Sequence, residues 1–228
     1  ESVTVFTSKV DLGTGIDTAL AQIVAEELDV PFKRIRMETG DTGKTVDQGP
    51  SVGSRTIEKA GPQLHHAAAA ARRELVRLAA DRFGTSPEKL MVKDGVVSLV
   101  GDRSKQISYG KLIGGQRFNV KIKASGSGYD LKLAEDVRPK DYKQYKVVGS
   151  SAPRIDLPAK VTGEFTYVQD VRLPEMLHGR VVRPPVVSSK PLSVIEDSVR
   201  HIPGLVKVVQ EGSFVGVVAE TEWSAIQA

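Results

Sequence analysis

A chain of 228 residues, 40% hydrophobic and 26% charged, holds enough apolar material for one large domain or two smaller ones. It has no cysteine, which excludes disulfides, zinc–thiolate centres and iron–sulfur clusters held by this chain. The net charge of +4 is mild and aromatics make up only 5%, so the basic, aromatic-interleaved stripe of a nucleic-acid binder is missing, and no apolar run nears the roughly 20 residues of a membrane span.

The chain begins at Glu1 rather than Met, which suggests a processed product or an excised fragment. Val3 to Thr7 alternates as a strand does, and Ile16, Leu20, Ile23, Val24 and Leu28 recur at helical spacing. Between them lies Asp11-Leu12-Gly13-Thr14-Gly15. A strand that enters a glycine turn and leaves as a helix brings the backbone close to a neighbour. Its helix start is expected to offer unpaired N–H groups to an anion. Many αβ proteins carry such a turn with nothing bound, so the spacing alone is a weak signal.

After Val30-Pro31-Phe32 stops the helix, Arg34 to Thr39 reads as a second strand. The stretch from Gly40 to Ser54 is a long polar loop rich in breakers. Its small donors (Thr42, Thr45, Gln48, Ser51 and Ser54) suit a polar ligand and equally a solvated connector. The longest helix is expected from about Arg55 to Phe83, with a kink or a late start at Gly61-Pro62 and Gly84 as its C-cap. Its apolar face runs through Ile57, Leu64, Ala68 and Leu75. The four histidines (His65, His66, His178 and His201) lack metal-ligand spacing. His65 and His66 are adjacent, point about 100° apart on a helix, and read as surface or rim residues.

Ser86-Pro87 opens a short helical turn with Ser86 as its cap, and Met91 to Leu99 is a hairpin turning at Asp94-Gly95. Ser108 caps another short helix. Residues 115–146 carry recurring cations, among them Arg117, Lys121, Lys140 and Lys146, and read as a basic linker with a solvated face. Gly114-Gly115-Gln116-Arg117-Phe118 lies at its start. Beyond it, strands are expected at Phe165–Val168, Leu177–Arg183, Val206–Val209 and Phe214–Ala219. Val194 to Val199 fits a short helix, and a helix beginning at Trp223 meets the chain end, which again suggests a fragment.

Two parts of the sequence carry a family resemblance. The run Pro153-Arg154-Ile155-Asp156, Lys160-Val161-Thr162-Gly163, Met176-Leu177-His178-Gly179-Arg180 and Pro184-Pro185 resembles the a/b hammerhead domain of the xanthine dehydrogenase/aldehyde oxidase family of molybdenum hydroxylases. Asp11-Leu12-Gly13-Thr14-Gly15, with Gly40-Asp41-Thr42 and Gln48-Gly49-Pro50-Ser51-Val52-Gly53-Ser54, is similar to a molybdopterin-binding segment of that family. The likeness is greatest to large subunits of the isoquinoline 1-oxidoreductase kind. The resemblance implies an α+β chain: a partial molybdopterin-binding domain over 1–114, the basic linker over 115–146 and the hammerhead over 147–228.

The same resemblance implies molybdopterin as cofactor of the full enzyme, bare or as its cytosine dinucleotide. Gly13, Thr14 and Gly15 would line it, with Gln48, Gly49, Ser51 and Ser54 as a second contact loop. Thr14 stands where many members carry glutamine. The implied partners are the remainder of the large subunit and a small [2Fe-2S] subunit. The family's reaction is water-derived hydroxylation of aldehydes or N-heteroaromatics, aided by a glutamate base in a Gly-rich context. That glutamate has no counterpart here, since Glu211 beside Gly212 does not match it, so no catalytic or metal-binding residue is expected and the chain alone is expected to be inactive. The alternative is a non-catalytic anion-binding or scaffolding αβ module.

Overall fold

The computed structural model describes residues 1–115, 123–133 and 137–228, so Gln116, Arg117, Phe118 and Lys121 lie outside the described residues. The chain is α+β and divides into two compact units, Glu1–Thr162 and Gly163–Ala228.

In the first unit, strand β1 (Val3–Thr7), helix α1 (Ile16–Leu28) and strand β2 (Ile35–Thr39) form a βαβ crossover, with β1 and β2 paired in parallel, Val5 opposite Met37. Alternation puts Val5 and Thr7 on the buried face and leaves Phe6 about half exposed on the other. Helix α2 (Thr56–Phe83) packs along α1. It passes through Pro62 without ending, where the sequence suggested a kink or late start. Pro62 is the seventh residue of the helix, so it forfeits one bond, that to the Glu58 carbonyl, while the ladder continues on either side. Gly61 lets the helices approach: a Cβ on it would lie 3.2 Å from Ile23 Cδ1. Leu20, Val24, Leu64, Ala68 and Leu75 are buried between them, together with Val97 and Ile107 from a three-stranded sheet. Ile57, expected on this face, is instead 41% exposed.

That sheet orders β3 (Leu90–Lys93), β4 (Val96–Leu99) and β5 (Asp102–Ser108), all antiparallel. The Asp94-Gly95 turn has both residues at positive φ, as a type I′ hairpin needs. β5 was not anticipated, because Asp102, Ser104 and Lys105 obscure its alternation. Helix α3 (Tyr109–Ile113) follows, capped by the Ser108 hydroxyl accepting from Lys111 N. Ser86 sits before the 3-10 turn Pro87–Lys89, but its side chain makes no capping bond to the backbone.

The segment read as a solvated basic linker contributes β6 (Ala124–Ser125), paired with β7 (Lys132–Leu133), and then runs along α1. From 140 to 156, past the expected linker end at 146, the chain climbs that helix from its C-terminal to its N-terminal end. The Lys140 amide donates to Glu27 at 2.8 Å, and the Lys146, Val147 and Val148 amides donate to one oxygen of Glu26. Gln22 Nε2 donates to the Val147 and Ser150 carbonyls, and the Ile155 amide to the Thr18 hydroxyl. Lys140 is not solvated: its ammonium donates to the Glu26 carbonyl and to Asp29, both at 2.6 Å. His65, expected at the surface or a rim, is partly buried and borders a small pocket beside His66 and Tyr145. It packs edge-on to Tyr145, with Nε2 2.7 Å from Glu27. The unit closes with helix α4 (Leu157–Thr162).

In the second unit, β8 (His178–Val181), β9 (Leu205–Glu211) and β10 (Phe214–Ala219) form an antiparallel sheet in the order β8-β10-β9. Helix α5 (Glu222–Gln227) packs on it through Ala225, against Val217 and Ala219. The strand expected at Phe165–Val168 is absent. The Phe165 and Tyr167 rings meet tilted by 58°, centroids 4.8 Å apart, and a 3-10 turn occupies Val168–Asp170, where the Asp170 carboxylate accepts from the Tyr167 amide. An alternating pattern makes a strand only where another strand pairs with it. The helix expected at Val194–Val199 is reduced to a 3-10 turn at Glu196–Ser198.

Candidate functional site

The turn between β1 and α1 is built on Asp11. Its carboxylate accepts from the Gly13 amide at 2.8 Å, the Gly15 amide at 3.1 Å and the Asp17 amide at 3.5 Å. Gly13 and Gly15, at φ +94° and +77°, turn these N–H groups onto that single side chain. These donors at the helix start, expected to be open to an anion, are occupied by an anion of the chain itself. Arg154 closes the turn from the far side, donating to the Gly13 carbonyl at 3.1 Å and lying 3.2 Å from where a Cβ on Gly15 would be.

Three carboxylates gather here. Asp156 accepts from Arg154 at 2.6 and 3.0 Å and from Lys160 at 2.6 Å, which holds its carboxyl well below the usual range. Asp17 goes the other way. Burial, followed by the negative charges of Asp11 and Asp156, pushes it up to about 6. Its Oδ1 is buried without a hydrogen-bond partner. Among the described residues, no group of three or more His, Asp or Glu is placed to hold a metal ion.

The second loop is tied to the end of β1. Gln48 is buried: its Oε1 accepts from the Thr7 hydroxyl at 2.6 Å and the Ser8 amide at 3.1 Å, and its Nε2 donates to Gln63 at 2.8 Å. Gly49 has φ +77°, and a Cβ on it would meet the Tyr129 ring at 2.9 Å. Ser51 Oγ accepts from the Val10 amide at 3.1 Å.

Between the two loops lies a cleft of about 290 Å³. Thr14, Ser51 and Ser54 supply hydroxyls to its lining, with Thr56 at the start of α2, and Val10, Leu12, Ile16, Val52 and Ile57 supply apolar surface. The structure therefore brings Thr14, Ser51 and Ser54 to one cleft. Gln48 and Gly49 form the support behind it, while Gly13 and Gly15 belong to the turn that Asp11 fills. A larger apolar cavity of about 360 Å³ sits elsewhere in this unit, bordered by Val3, Leu28, Leu75 and Tyr109. It holds none of these residues.

Sequence reasoning missed Lys9. It is completely buried, and its ammonium donates to the carbonyls of Gln48 and Gly49 at 2.7 Å and of Pro50 at 3.0 Å. One signal was available: Val5, Thr7 and Lys9 alternate, so the lysine continues the buried face of β1.

The molybdopterin cofactor-binding domain family model matches residues 1–162, the whole of the first unit. The chain belongs to that family. Over 231 residues, 98% of this chain, it is 45% identical to a nicotinate dehydrogenase subunit of Pseudomonas putida, of which it covers 18%. It is 30% identical over 92% of its length to the isoquinoline 1-oxidoreductase beta chain of Brevundimonas diminuta, covering 30% of that protein. It is also 30% identical over 99% of its length to a protein of Gluconacetobacter polyoxogenes named membrane-bound aldehyde dehydrogenase [pyrroloquinoline-quinone], covering 29%. The chain thus spans 18% to 30% of the length of these relatives. No helix among the described residues is long and apolar enough to cross a membrane.

Proposed function

We propose that this chain forms part of the large subunit of a molybdenum hydroxylase that oxidises N-heteroaromatic compounds or aldehydes, and that it supplies one wall of the molybdopterin site. The family match across the first unit, joined to 45% identity with a nicotinate dehydrogenase subunit over nearly the whole chain, carries this reading. The substrate class follows from the names of the relatives.

The cleft suits the edge of a polar ring system. It offers hydroxyls from both loops, those of Thr14, Ser51 and Ser54. Its 290 Å³ lies at the bottom of the roughly 300–1,000 Å³ range of small-molecule pockets, so it would take part of a cofactor and leave the rest to other walls. The Asp11-filled turn does not suit a phosphate, because its Gly13 and Gly15 amides already bond Asp11 and the charge there is negative. When bound, the cofactor supplies the redox chemistry. Thr14, Ser51 and Ser54 would bind and orient it, while Val10, Leu12 and Val52 would exclude water from its edge. The same proposal includes the cofactor's extension as the cytosine dinucleotide, the remainder of the large subunit and a small [2Fe-2S] subunit.

The test is a Ser51→Ala/Ser54→Ala double variant of the large subunit containing this chain, produced in a host that makes molybdopterin. Two hydrogen bonds lost at about 1 kcal/mol each predict roughly tenfold or greater weakening of pterin retention on dialysis. Retention equal to wild type would remove these serines from the site.

A further inference from the structure

Three successive carbonyls, those of Gln48, Gly49 and Pro50, converge on one atom, Lys9 Nζ. In an extended strand successive carbonyls point to opposite sides, so such convergence requires a bent backbone. Gly49 provides the bend with its φ of +77°. An ammonium has three N–H donors, and here each has its own acceptor. Tyr129 covers the site: its ring centroid lies 4.7 Å from Nζ and its hydroxyl donates to the Pro50 carbonyl at 2.5 Å. Immediately after the gathered segment, Ser51 reaches back to the Val10 amide and the chain lines the cleft through Ser54.

We propose that Lys9 is a positioning residue for the cofactor-facing wall: by gathering the 48–50 carbonyls it sets Ser51 and Ser54 across the cleft from Thr14. Lys9 touches no part of the cleft itself. The proposal rests on the reading of the cleft as part of a pterin site, but what Lys9 does to the loop can be measured without the cofactor. Hydrogen exchange over residues 47–55 and bound pterin are therefore measured together, on wild type and Lys9→Met purified from a host that makes molybdopterin.

In Lys9→Met, exchange over 47–55 should quicken roughly tenfold or more, with α2 unchanged, and pterin retention should fall by a similar factor. Unchanged exchange over 47–55 overturns the proposal, and so does faster exchange with pterin retained as in wild type. If wild type itself carries no pterin and the loop still loosens in the variant, the cofactor reading fails and the hold of Lys9 on the loop stands. Should Lys9→Met not fold, lysine-specific acylation of the wild type decides. Lys9 should label far more slowly than the exposed lysines, and labelling at their rate overturns the proposal. Exogenous n-propylammonium added to Lys9→Ala should restore slow exchange over 47–55; no restoration in a folded variant counts against the ammonium as the gathering group.

Discussion

Glu27 gives the sharpest test of how the first unit is held together. Its carboxylate is completely buried on α1 and accepts from Arg72 Nε at 3.1 Å and a second Arg72 nitrogen at 2.9 Å, and from the Lys140 amide at 2.8 Å, with His65 Nε2 2.7 Å away. Burial alone would raise its pKa; the bonds from His65, the Lys140 amide and Arg72 outweigh it and hold the carboxyl below the usual range. Glu27→Gln keeps the shape but removes the charge and turns an NH₂ toward groups that are themselves donors. Breaking a buried pair by changing one partner costs about 3–5 kcal/mol. For a protein of this size that corresponds to a melting temperature lower by roughly 6–20 °C. Thermal unfolding at pH 7 measures it, and hydrogen exchange should place the loss in α1, α2 and residues 140–148. Because the folded pKa lies below the unfolded value, the ionised carboxylate stabilises the fold above about pH 4.5. That contribution is lost as pH falls through the depressed folded value, so the gap between wild type and variant should narrow in acid. A loss under about 1 kcal/mol at pH 7, or a gap that widens in acid, would refute the argument.

Asp17, pushed up to about 6, has the opposite sign: the folded state prefers its neutral form, so its ionisation costs stability as pH rises from about 4 through 6. Asp17→Asn should therefore match wild type in melting temperature below pH 4 and exceed it above pH 6; a constant difference would contradict the assignment. Asp11→Ala should cost about 1–2 kcal/mol by uncapping the start of α1, and phosphate or sulfate should stabilise the variant more than wild type, as read by melting temperature across a salt series. Gly49→Ala combines a left-handed backbone with a Cβ 2.9 Å from the Tyr129 ring, so a loss of roughly 1–3 kcal/mol is expected in denaturant unfolding, and a neutral result would mean the loop is not held as described.

What the sequence made legible was local. Val3–Thr7, the α1 pattern and Asp94-Gly95 each carry their own signal in a few residues, and all three stand as read. What escaped depends on distant partners. Glu26 and Glu27 look like the polar face of a helix until the 140–148 amides descend on them. Lys140 looks like a surface cation until it meets Asp29. At the site, the polar loop's composition brought out Ser51 and Ser54 and the family resemblance brought out Thr14, and these three share a cleft. They did not show that Asp11 fills the glycine turn, since an aspartate at a helix start reads equally as a cap and as a solvated charge. Phe165–Val168 shows the reverse failure, an alternation with no neighbouring strand to pair with it.

The most direct test of the central claim is the content of the large subunit containing this chain, purified from a host that makes molybdopterin. Mass spectrometry of the released cofactor and metal analysis should find pterin and molybdenum in equal amounts, about one of each per chain. Neither one, or pyrroloquinoline quinone in their place, would contradict it.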